Sequence, residues 1–319
     1  MLRKMVPGFV KTYLKNASGH GQLNHCKQVV LPSYHGLGWY TANVSRHYPE
    51  PDLARPASQT CTMSQVASPC FAEWCARLNH RIQKHRKLWE WVYIAHSLDH
   101  MGALQPGHRG LGFGVGKERL ISYFASRGCS ILATDIDYEQ ARASGWVDTD
   151  QYSLNKQDLN GFGLCPEGDF DRLVDYRNMD MREIDEGLRD YDFVWSSCAF
   201  EHLGSPEAGL DFVMNSMDCL KPSGVGVHTT ELNVSSADET LDSGHTILYR
   251  KCDLESLAAR LEADGHQVEP LNFNAGSDPV DFDVYHPGVE VMHTKENHLK
   301  LGVGKFVTSS FGLIVRKKA

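Results

Sequence analysis

The chain predicts an α/β fold: a doubly wound, mostly parallel sheet with an antiparallel last strand, preceded by an N-terminal cap of loops and helix. Three observations predict it. After Pro106, short apolar runs alternate with amphipathic stretches, as strands do with the helices that cover both faces of a parallel sheet. A glycine-rich turn, HRGLGFGVGKERL, follows the first run. The second run, SILATD, ends on an acid, Asp135.

Residues 1–70 are rich in Gly, Pro, Ser, His and Asn, and PSYHGLGWY and YPEPDLARPAS read as loops. Tyr34, Trp39, Tyr40 and Tyr48 argue against plain disorder there. This stretch is expected to be a cap that contributes to acceptor binding, with the main domain over 71–319. From Phe71 to about Leu104, Phe71, Trp74, Cys75, Leu78, Ile82, Trp89 and Val92 recur at helical spacing, giving one long leading helix or two shorter ones. The cofactor-binding core spans 105–275. Strands are expected at 109–113, 130–135, 172–176, 193–197, 225–230 and 267–273, with helices at 117–126, 138–144, 206–220 and 253–263. LKPSG reads as a turn. A long polar loop, 276–304, leads to the last strand at 305–316.

With 319 residues, 41% of them hydrophobic, the chain can bury a substantial core. No apolar run is long enough for a transmembrane segment, and the start lacks the uninterrupted apolar stretch of a secretory signal, so a cytoplasmic location is expected. The nine cysteines contain no CxxC pair, which argues against a zinc site or a disulfide framework. Residues 1–100 carry 12 Lys and Arg against 5 Asp and Glu, and the remainder 20 against 35. The basic part reads either as a solvated face or as a surface that meets an anionic acceptor. The acidic catalytic part would repel a phosphate backbone, so nucleic acid is not expected as a partner.

Gly110, Gly112, Gly114 and Gly116 stand at a strand-to-helix junction, where glycine lets backbone turn tightly and approach a ligand beside a helix N-terminus. A dinucleotide fingerprint counted from Gly112 needs glycine where Lys117 stands, and a P-loop needs Ser or Thr where Glu118 stands. The G-x-G-x-G pattern of Gly112, Gly114 and Gly116 fits neither. Asp135 alone reads equally as a solvated turn acid. Beside the loop, at the carboxyl edge of the sheet, it can accept from both hydroxyls of a ribose.

With these residues the region from about Leu104 onward resembles the Rossmann-like class I S-adenosylmethionine-dependent methyltransferases. The resemblance implies S-adenosylmethionine as cofactor, with its methionine part over Gly112–Gly116, Phe113 included, and its ribose on Asp135, next to Ile136. It implies that Asp180 and Met181, in YRNMDMREI, flank the adenine. One departure stands out: the acid usually found two residues before the first glycine is replaced by Gly110. In the family that acid helps, indirectly, to hold the amino-acid end of the cofactor, and Ser196, Ser197 or a residue of the cap are candidates for this task.

Methyl transfer from a sulfonium is an in-line displacement in which the protein aligns the acceptor, excludes water and, where needed, removes a proton. Glu201 and His202 follow the fourth strand, where the carboxyl edge faces the cofactor. His202 is either the base or acceptor-orienting residue, or a structural contact. His228 and Glu231, in VHTTELN, are the next candidates. His96 and His100 lie one helical turn apart with no acid placed to complete a recognisable site, and His293 and His298 sit in the late loop, so no metal is expected. After the fourth strand stands SSCAF, not the Asp/Asn-Pro-Pro-Tyr type of motif used on nucleic-acid amines. ELNVSS, SGHTILYRKCDLESLAARLEADGH and KFVTSSFGLIVRKK are similar to bacterial methyltransferases encoded with surface-polysaccharide genes, which implies a role in polysaccharide biosynthesis and a sugar or glycan hydroxyl as acceptor. Two expectations stay beside this one: a homo-oligomer contact in the long loop, and an inactive cofactor-binding partner or sensor.

Overall fold

The structure is a computed structural model, and it describes residues 35–148, 151–286 and 297–319. Tyr34, His293 and the first half of the expected cap lie outside the described residues.

Five parallel strands carry the core: β1 (Arg109–Phe113), β2 (Ser130–Asp135), β3 (Val174–Asn178), β4 (Tyr191–Ser197) and β5 (Leu220–Asn233). They lie side by side in the order β3-β2-β1-β4-β5, and the last strand, β6 (Phe306–Arg316), runs antiparallel along β5 over Val225–Asn233. Both faces of these strands are covered, so β1, β4, β6 and β5 from Gly224 onward are buried almost without a break, polar residues of β5 and β6 included. Because the chain leaves β1 in one direction and returns to its other side through β4, a crevice opens between their carboxyl ends. This is the switch point at which open α/β sheets take ligands.

Helices fill the connections. The stretch expected as one or two helices is two, Pro69–Arg77 and α1 (Arg86–His100). Ser68 caps the first by accepting from the Phe71 amide, and His85 caps α1 by accepting from the Lys87 amide. The short strand Lys84–His85, paired with Asn297–His298, separates them. The helix α2 (Leu120–Ser126) follows the glycine loop and starts later than expected, since residues 117–119 form the turn into it. The helix α3 (Pro206–Ser216) ends in a 3-10 turn at Met217–Cys219, and α4 (Lys251–Ala263) packs against it.

Several expected boundaries shift. The third strand begins at Val174, because residues 167–173 form a helix. LKPSG is the entry of β5, with a register irregularity against β4 at Tyr191/Phe193. The strand expected at 267–273 is two short pieces, Gln267–Val268 and Leu271–Asn272. Within the expected cap, Ser58–Thr60 pairs with β6 and so belongs to the main sheet. Lys300–Val303, inside the expected long loop, pairs with the start of β6.

Candidate functional site

The glycine loop leaves β1 at the crevice. Gly114 (φ +58°) and Gly116 (φ +51°) hold left-handed backbone, which costs a side-chain-bearing residue about 1 kcal/mol or more. A Cβ on Gly114 would stand 2.9 Å from the Cβ of Ala199, so the loop lies directly on the segment that follows β4; the Met181 sulfur is 3.5 Å from the same point. Asp135 ends β2 beside the loop. One of its oxygens accepts from the Gly116 amide at 2.8 Å and the other from the Ile136 amide at 2.9 Å. Burial pushes its pKa up to about 6, against these two amides. A carboxylate has about four acceptor positions, so one remains on each oxygen, enough for a vicinal diol. These residues fit S-adenosylmethionine: a turn with glycine at 112, 114 and 116 for the methionine end, and a buried acid for the ribose.

Not every expected cofactor contact lies open to this space. Phe113 is fully buried, edge-on to Phe212 at 5.1 Å, because alternate residues of β1 point into the core behind the sheet. Gly110 is a packing glycine: a Cβ there would lie 2.4 Å from the Phe193 ring. Asp180 is engaged by Arg182, through its backbone amide and its guanidinium, and is held below the usual carboxylate range by that contact.

At the far side of the crevice the ends of β4, β5 and β6 meet the first turn of α1, and here the charge is concentrated. Glu90 is fully buried and binds Lys87 at 2.8 Å, Arg86 at 3.4 Å, and the hydroxyls of Ser310 at 2.6 Å and Ser197 at 3.2 Å. Burial alone would raise its pKa, but the two cations hold it at about 2. Arg86 also pairs with Glu231, which accepts from Thr308 at 2.8 Å. Lys87 reaches the Ser197 carbonyl at 3.3 Å. Arg86, Lys87, Glu90 and Cys198 were invisible as a site in the sequence, where a helix turn and a strand end far apart carry no common motif. Cys198, Glu201 and Glu231 place ligand atoms within 4.8 Å of one another, but the Arg86 guanidinium sits on Glu231 and 4.0 Å from the Cys198 sulfur. The positive charge at that point is therefore an arginine.

Glu201 and His202 form a 3-10 turn after β4. Glu201 is fully buried; Thr230 donates to one of its oxygens at 3.1 Å and the other has no hydrogen-bond partner. Burial and the charge of Glu231 raise its pKa. The Nδ1–H of His202 donates to the His245 carbonyl at 2.6 Å, which leaves Nε2 with its lone pair, 3.9 Å from Glu201. The ring packs edge-on to Trp146 at 4.7 Å, and burial lowers its pKa to about 4, so it is neutral at pH 7.

His228 is not part of this group. It is fully buried between Phe200 and Phe212, with Ser196 at 2.9 Å and Ser216 at 3.4 Å, and burial lowers its pKa to about 3. It lies on the core face of β5, which the alternation of the strand decides. Ser196 is thereby occupied with His228, and Ser197 with Glu90. Each serine hydroxyl already has a buried partner, and neither carries the charge of the acid missing at 110.

Sheet order, switch-point loop and strand-end acid define a class I cofactor domain of the Rossmann-like kind. Residues 111–228 match the family described as "Methyltransferase domain", and the fold around them is that of a class I S-adenosylmethionine-dependent methyltransferase domain. Solved structures with a similar course include a TehB-like SAM-dependent methyltransferase from Corynebacterium glutamicum (16% identity, TM-score 0.37, covering 77% of this chain and 92% of that one). Another is an S-adenosylmethionine-dependent methyltransferase from Clostridium acetobutylicum (12% identity, TM-score 0.40, 72% and 92%). A third comes from Mesorhizobium loti (12% identity, TM-score 0.42, 71% and 98%). No curated protein matches the chain. Among the described residues, no helix is long and apolar enough to cross a membrane.

Proposed function

We propose that this methyltransferase acts on a hydroxyl of a small molecule or sugar, with His202 as the base. The observation that carries the reading is the tautomer of His202: the His245 carbonyl takes the Nδ1 proton and leaves Nε2 basic. His202 stands three residues past Ala199, which lies against the glycine loop, so the basic nitrogen and the cofactor loop share one edge of the sheet. When bound, the cofactor supplies an electrophilic methyl group on sulfur. The protein holds the loop and the strand ends in place, and Nε2 takes the hydroxyl proton as the oxygen attacks. Glu201, raised by burial and by Glu231, keeps a proton near neutral pH and so adds no second charge beside the base.

The test is a screen of hydroxyl acceptors, sugar nucleotides first, with His202→Ala as probe. On an acceptor that turns over, the variant should lower kcat by about 100- to 10,000-fold while leaving S-adenosylhomocysteine affinity unchanged. A variant that loses cofactor affinity instead would make His202 a structural contact. Cofactor binding with no turnover on any acceptor would favour the inactive partner.

A further inference from the structure

The acid that the resemblance places at 110 is missing, and the Phe193 ring fills the space its side chain would need. Another acid stands beside the loop. Glu118 lies two residues past Gly116 and is only 3% exposed. Its Oε1 accepts the Trp195 indole N–H at 2.6 Å, its one side-chain hydrogen bond among the described residues. Trp195 runs beneath the loop: a Cβ on Gly112 would stand 2.4 Å from its ring. The indole thus tethers the carboxyl under the glycines by one oxygen.

The charges that act on Glu118 locate it further. They are Lys87 and Glu90 on α1, at the transfer edge, and Asp135 at the end of β2. Glu118 is thus within electrostatic reach of both the strand-end acid Asp135 and the first turn of α1. Lys87 and Arg86 are already paired with Glu90 and Glu231.

We propose that Glu118 takes the place of the missing acid and binds the α-ammonium group of the cofactor's methionine end. This rests on the cofactor reading above. Burial raises the Glu118 pKa to about 8, against the Trp195 hydrogen bond and Lys87, so the carboxyl holds a proton at pH 7. An ammonium within hydrogen-bond reach favours the carboxylate. Binding therefore releases the Glu118 proton to solvent, and the ammonium keeps its own three.

Isothermal titration separates the parts, using S-adenosylhomocysteine and methylthioadenosine, which lacks the amino-acid end. Glu118→Gln keeps an oxygen for Trp195 and loses the charge. It should weaken S-adenosylhomocysteine by about 10- to 100-fold and leave methylthioadenosine unchanged, which also shows that the variant is folded. In two buffers of different ionisation enthalpy, the wild type at pH 7 should release about one proton with S-adenosylhomocysteine, and the variant none. Unchanged S-adenosylhomocysteine affinity, or an equal loss for both ligands, would overturn the assignment. A wild type that binds neither ligand would overturn the cofactor reading and the role of Glu118 with it.

Discussion

Position 110 shows how one residue can carry two readings. In sequence it is the first of four alternating glycines, and it reads as part of the loop. In the fold it faces Phe193 and Ile131, and glycine is needed because two larger neighbours occupy the place of its Cβ. Restoring the missing acid as Gly110→Asp should therefore fail. Overpacking alone costs about 1–3 kcal/mol, and a buried unpaired carboxylate adds to it. Thermal denaturation should show a lower midpoint, with no gain in cofactor affinity. A gain would mean that the acid is tolerated and that Glu118 is not its replacement. His228 is the same lesson in reverse: a histidine in a run of strand residues near a site has even odds of facing either side. Only the register of β5 against β4, Ser196 opposite His228, puts it in the core.

The first turn of α1 is the element on which the site depends. Its apolar spacing was legible, and so was the basic run before it. What the spacing could not show is that Glu90, which reads as a polar face, is fully buried. The helix does not lie on the surface there. It starts at the carboxyl ends of β4 and β5 and the first half of the antiparallel β6, and Glu90 gathers Arg86, Lys87, Ser197 and Ser310 into one point. Removing one partner of a buried pair costs about 3–5 kcal/mol. Glu90→Ala should cost near the lower end, since Arg86 retains Glu231 and the Lys87 side chain is 33% exposed. Chemical denaturation measures this; a loss below about 1 kcal/mol, the scale of a surface pair, would show that the network does not support the fold.

At the scale of the whole molecule, the last strand closes the structure. β6 pairs with nine residues of β5 on one side, and on the other with Ser58–Thr60, Gln267–Val268 and Lys300–Val303. Nearly all of its residues are buried. A chain truncated after Gly304 would leave one edge of β5 unpaired and uncover apolar residues on both faces of the sheet, so it should not fold. Far-ultraviolet circular dichroism and cooperative melting check this; a cooperative transition in the truncated chain would mean that β6 is peripheral.

The α/β class, the glycine loop, Asp135 and the existence of a last strand were legible in the sequence, because each is a local pattern: apolar runs, glycine at a tight turn, an acid at a strand end. Tertiary structure alone decided which of the neighbouring polar residues meet. Glu90 and Ser310 are 220 residues apart, and Glu118 and Trp195 are 77 apart, yet each pair shares a hydrogen bond of 2.6 Å. Such contacts follow from strand order and from the two faces of each strand. A one-residue change of register exchanges those faces while leaving the local pattern intact.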